Sequence, residues 1–131
     1  MRTVSRLQMV TPFDSEIADL EMEQQLLLLR GCALCRITRR VDEGSTRAKE
    51  EWKTCKAELG VPVEVFTKDV APAALLAAID HHAPAVAAVT TDGEIVSLMD
   101  EAAIARCKGS VADLRGRLKY RMASLELAMP A

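Results

Sequence analysis

The stretch Leu26-Leu27-Leu28-Leu29-Arg30-Gly31-Cys32-Ala33-Leu34-Cys35 constrains this chain most. Four consecutive leucines fall far short of the roughly 18 apolar residues of a membrane helix. They fit a strand over 25–30 that is buried on both faces. Gly31 breaks the run, and a helical pattern starts at once. On this reading Cys32 and Cys35 sit where a strand feeds a helix. Free backbone N–H groups and the positive end of the helix dipole favour an anion there, and a thiolate is an anion. A cysteine so placed can titrate at roughly 3.5–7.5 instead of about 8.5. The second cysteine, one turn on, is within reach of a reversible disulfide.

A length of 131 residues predicts one domain over 1–131. Half the residues are apolar and 3% are aromatic, so the core must be aliphatic and alanine-rich. A net charge of −2 points to no nucleic acid and no membrane surface as partner. Residues 1–10 (MRTVSRLQMV) lack the continuous apolar segment of a signal peptide, so a soluble, cytoplasmic protein is expected. In a reducing compartment four cysteines do not make a structural disulfide framework. A close CxxC pair is then catalytic or metal-binding.

Val4, Leu7, Met9 and Val10 predict a first strand over 3–10, ended by Thr11-Pro12. Asp14 or Ser15 can cap a helix running to about Glu23. The leucine strand follows. From Ala33 to Leu59 one apolar stripe (Leu34, Ile37, Val41, Ala48, Trp52, Cys55, Leu59) predicts a single long helix with a weak point at Gly44-Ser45, ended by Gly60. A helix end at Gly44 with a restart at Ser45 is the close alternative. Val61, Val63 and Val65 mark a strand over 61–66. Pro72 opens a helix to about His82, and 85–89 is a strand directly after Pro84. Asp92-Gly93 signals a type I′ hairpin to a strand over 94–99. Residues 100–108 read as a helix ended by Gly109. Ser110 and Asp113 resemble a capping box for a last helix carrying Val111, Leu114, Leu118, Met122, Leu125 and Met129. The expected order is β-α-β-α-β-α-β-β-α, an α/β fold with a central mixed β-sheet flanked by helices.

This order, with Cys32-Ala33-Leu34-Cys35 at the second strand's end and Ala83-Pro84 opening the strand after the third helix, resembles the thioredoxin-like superfamily over about residues 3–125. The resemblance implies a thioredoxin-like fold and a thiol–disulfide oxidoreductase. Cys32 would be the nucleophile and Cys35 the resolving thiol. It implies that Pro84 is cis and faces the cysteines. Gly31, Ala33, Leu34, Ala83 and Pro84 would border the substrate groove. The implied partners are a protein or low-molecular-weight disulfide substrate and an external reductase or reductant. No organic cofactor is implied beyond the redox-active Cys32–Cys35 disulfide. Two positions depart from thioredoxins. Gly31 stands where they carry tryptophan, and Leu26 where they carry a buried aspartate.

Arg36 and Arg39 follow Cys32 at i+4 and i+7, the helical face under it, where they would lower its pKa or form an ordinary solvated face. The departures keep a second class open, a non-catalytic thioredoxin-fold binding or scaffold module. A third is metal held by the CxxC with His81 and His82, but no second CxxC exists and no metal is assigned. Cys55, on the stripe with Trp52, reads as a core residue. The methionines of the last helix suggest core packing or a homodimer through the C-terminal helix.

Overall fold

The order of elements is set by one central strand. The computed structural model describes residues 1–130. In it β1 (Arg2–Thr11) has a neighbour on each side. A 3-10 turn (Ser15–Asp19), α1 (Met22–Arg30), α2 (Ala33–Thr38), a second 3-10 turn (Val41–Glu43) and α3 (Glu50–Leu59) lead to β2 (Val63–Thr67). Then come α4 (Ala73–Ala78), β3 (Ala85–Thr90), β4 (Ile95–Met99), α5 (Glu101–Ala105), α6 (Val111–Ser124) and the short β5 (Leu127–Ala128). The main sheet runs β2-β1-β3-β4. β1 is parallel to β2 (Leu7 opposite Val63) and antiparallel to β3 (Met9 opposite Val86). β3 is antiparallel to β4, and β5 adds a parallel pairing to Arg2 and Thr3. The chain is therefore α/β, a mixed sheet flanked by helices. No helix among the described residues is long and apolar enough to cross a membrane.

Side-chain alternation sorts the core into two layers. Leu7 and Met9 of β1 and Val86 and Ala88 of β3 face a cluster that holds Leu34, Cys35, Trp52, Ile104, Leu114 and Leu118. The opposite side chains, Val10, Ala85 and Ala87, pack under Leu75 and Ile79. All six residues of β3 are buried. Its alanines let helices approach both faces, which is how a chain with few aromatics closes its core.

The leucine run is not a strand. Met22–Arg30 forms α1, burying Leu26 and Leu29 one turn apart and exposing Leu27 and Leu28. The reason is intrinsic preference. Leucine, glutamine and methionine are strong helix formers, and the segment contains no β-branched residue to favour a pleated strand. The expected order therefore loses one strand, and the crossover from β1 to β2 carries three helices.

The long helix over 33–59 is also two helices. Arg39 is extended, pairs with Ala48 as an isolated bridge, and Arg40 N–H donates to the Arg47 carbonyl. Gly44 turns this loop at φ +75°. The apolar stripe stays in phase across the loop because Val41 is buried along with Leu34, Ile37, Trp52, Cys55 and Leu59. Periodicity located the buried residues apart from the half-buried Ala48, and the break spans 39–49, wider than the helix end at Gly44 and restart at Ser45 that stood as the alternative. The last helix is shorter than its apolar pattern suggested. It ends at Ser124, Glu126 takes φ +57°, and Met129 lies beyond β5. The hairpin forms at Asp92-Gly93, but Asp92 does not take a positive φ. Gly93 N–H donates to the Thr90 carbonyl and Thr90 N–H to the Glu94 carbonyl. This is a longer loop than a two-residue type I′ turn.

Candidate active site

Gly31 ends α1, its N–H donating to the Leu28 carbonyl while the Cys32 N–H donates to the Leu29 carbonyl. Cys32 then turns extended, at φ −103° and ψ +115°, and becomes the N-cap of α2. The cysteine pair thus follows a helix, not the strand expected from the leucines. The local geometry at Cys32 is still that of a helix start. Its sulfur takes the place of a capping oxygen and accepts the Cys35 backbone N–H at 3.3 Å.

Both thiols are free and buried. Hydrogen bonding splits their acidities. The Cys35 thiol donates to the Cys32 sulfur, which lowers the Cys32 pKa from 9.0 to about 7 against the opposing effect of burial; the backbone N–H groups of Cys35 and Leu34 help. Cys35 moves strongly the other way. Its proton serves the Cys32 sulfur, burial disfavours its charge, and a thiolate at Cys32 repels a second one. One sulfur is therefore readied as the thiolate, and its neighbour holds the proton.

Arg39 is exposed, its Nη1 donates to the Thr46 carbonyl at 2.6 Å, and its charge favours a thiolate at Cys35. The carboxylate that acts on Cys32 is Glu101, at the first position of α5, and it disfavours the thiolate. Arg36 is exposed beside Gly31 and Ala33 and borders a cleft of about 160 Å³ with Arg30 and Lys108. This cleft is lined by Gly31 and Ala33, the chain neighbours of Cys32, and by three cations. Glu101 and Lys108 lie 69 and 76 residues beyond Cys32 and carry no motif, so spacing could not have found them.

A second cavity of about 160 Å³ lies behind the pair. Cys35 lines it with Met9, Thr11 and Trp52, and Arg39 and Lys56 reach its rim. Lys56 Nζ stands 5.9 Å from the Trp52 ring centroid. Leu34, expected at a substrate groove, is a core residue whose side chain faces this cavity. No carboxylate lines it. Because 25–30 is helical, Leu26 is not on the sheet at all, and the sheet side chain at Cys35 is Met9.

Ala83-Pro84 is a cis peptide bond at the start of β3. Ala85 pairs with Val10, which brings Pro84 to the end of β1 where Thr11 and Met9 border the Cys35 cavity. Pro84 is buried and Ala83 half-buried. His81 and His82 are exposed in the turn before them. Cys55 and Cys107 are buried, and burial raises both thiols. Comparison with family models, with curated proteins and with solved structures finds no match for this chain.

Proposed function

We propose that the chain is a thioredoxin-like thiol–disulfide oxidoreductase, with Cys32 as nucleophile and Cys35 as resolving thiol. The observation that carries this reading is the shared hydrogen bonding at Cys32, which separates the two thiols into a near-neutral acid and a proton holder. The sheet order β2-β1-β3-β4, with the pair and Ala83-Pro84 at one end of β1, supports the superfamily resemblance. The chain departs from that pattern in the helix α1 inserted before the cysteines and in the absence of a carboxylate beside Cys35.

The step is an exchange of sulfur bonds. The Cys32 thiolate attacks one sulfur of a protein or low-molecular-weight disulfide. The substrate S–S bond breaks, and its far sulfur leaves as a thiolate that takes a proton. A Cys32–substrate disulfide results. Cys35 attacks the Cys32 sulfur, the Cys32–substrate bond breaks, and the proton from Cys35 ends on the departing substrate sulfur, which leaves as the second thiol. The substrate gains two electrons and the pair becomes a Cys32–Cys35 disulfide. An external dithiol reductant or reductase restores it. The protein needs no organic cofactor for these steps.

Both sulfurs being buried favours a second reading, a thioredoxin-fold module that binds a partner without turnover. One experiment separates the two. Cys35→Ser is incubated with a lysate and with glutathione disulfide, and adducts on Cys32 are read by mass. Accumulation of mixed disulfides lost in Cys32→Ser supports exchange. No adduct with either substrate, and no turnover by the wild type, removes it.

A further inference from the structure

The far edge of the sheet carries a groove unconnected to the cysteines. α5 and α6 meet Leu98 and Met99 of β4 there, around about 430 Å³ of open space. That volume suits a ligand or a peptide segment. Arg106, Arg117 and Arg121 line it, all exposed. None of the three makes an ion pair or side-chain hydrogen bond among the described residues. In a chain whose net charge is −2, three free guanidinium groups around an apolar floor mark a local site for negative charge.

Two further observations make this more than a solvated helix face. Gly116 lies in the middle of α6, where glycine costs roughly 0.5–1 kcal/mol relative to alanine. Its φ is not in the left-handed region, and a Cβ there would meet nothing within 4 Å. No packing among the described residues accounts for it, and its effect is to open the groove. Tyr120 also borders the groove and is 78% exposed, a large apolar ring left in water.

The occupant is set by β4. Among the described residues this strand pairs with β3 alone, which leaves its other edge without a strand partner. Its five residues, Ile95 to Met99, contain no charge and no proline. The opposite edge strand, β2, is protected by Pro62 before it and by Glu64 within it, the latter paired with Arg6. At β4 the protection comes from the neighbouring arginines. Like charges oppose pairing of two copies through this edge, and the same charges attract an acidic strand.

We propose that this groove docks an extended, acidic segment of a partner protein, which adds to the edge of β4 and places carboxylates on Arg106, Arg117 and Arg121. Main-chain hydrogen bonds to β4 supply affinity, and the arginines supply selection and a fast, salt-dependent approach. Tyr120 and the space above Gly116 take the segment's apolar side chains. This holds whether or not the cysteines exchange disulfides.

The test uses the full chain and a short labelled peptide of alternating glutamate and valine, with a lysine–valine peptide as control. Anisotropy measures binding, and amide hydrogen exchange reads β4. Expected are binding of the glutamate peptide only, slowed exchange at Ile95–Met99, and at least a tenfold loss in the double variant Arg117→Glu/Arg121→Glu. Gly116→Leu, which favours the helix and fills the groove, should lose binding with an unchanged or raised Tm. Equal binding of the lysine peptide, absence of binding at low salt, or binding with no protection of β4 overturns the proposal. So does tighter binding of an oligonucleotide at the same arginines with β4 unprotected, which would make the surface a phosphate site.

Discussion

The backbone N–H of Cys35 donates to the Cys32 sulfur across 3.3 Å, so the proposed nucleophile is also the N-cap of the helix that carries Cys35. That single turn sets the acidity of the pair. The Cys35 thiol contributes the largest share of the lowering at Cys32, and the N–H a smaller one.

Removing the thiol and keeping the backbone should therefore raise the Cys32 pKa. In the reduced wild type, thiolate absorbance at 240 nm and the rate of alkylation by iodoacetamide should both rise with a midpoint of about 7. In Cys35→Ala the midpoint should move up toward the ordinary thiol range. In Cys35→Ser, whose hydroxyl can still donate, it should move less. A wild-type midpoint near 9 would remove the acidity argument altogether.

Glu101 works against the thiolate from the first turn of α5. Glu101→Gln keeps the side-chain shape and removes the charge. Its Cys32 titration should shift down by a few tenths of a unit, and alkylation at pH 6 should quicken up to about twofold. An unchanged midpoint would mean that solvent screens this carboxylate fully.

The leucine run gives the sharpest test of the local fold. A helix that buries Leu26 and Leu29 and exposes Leu27 makes the four positions unequal. Leu29→Ala should cost about 2–4 kcal/mol in urea unfolding, by lost burial and the cavity left behind. Leu27→Lys should change stability by about 0.5 kcal/mol or less. Large, similar losses at Leu26, Leu27, Leu28 and Leu29 would instead indicate a strand buried on both faces.

The same residues show what a sequence can and cannot convey. The apolar residues Val4, Leu7, Met9 and Val10, the Asp92-Gly93 turn and the valines around 63 marked four of the sheet's strands, because each signal is local. Leu26–Leu29 misled, because a short apolar run has no period of its own. Helix preference and burial on one side only then decide its state. The stripe from Leu34 to Leu59 predicted burial and not continuity, since the 39–48 loop restores the helical phase by chance of its length. At the site, Cys32 and Cys35 were legible because their spacing is one turn. Glu101 and Trp52 reach the pair only through tertiary packing, and the Arg39 guanidinium donates to the Thr46 carbonyl.

The split acidities also fix how stability depends on pH in the reduced protein. The folded Cys32 pKa, about 7, lies below the ordinary 9.0. Between these values the folded chain holds a thiolate where the unfolded chain holds a thiol. Protons are then bound more by the unfolded state, so stability rises with pH across this window. The contribution is fully present above pH 9 and is lost as pH falls through 7. Cys35, Cys55 and Cys107 are shifted up, so above pH 9 the unfolded chain releases protons that the folded chain retains. Stability falls there. Urea unfolding under a phosphine reductant should show wild type gaining on Cys32→Ser by on the order of 2 kcal/mol between pH 6 and pH 9. A difference that stays flat with pH would show that folding does not lower the Cys32 pKa, and the acidity that marks Cys32 as the nucleophile would have to be abandoned.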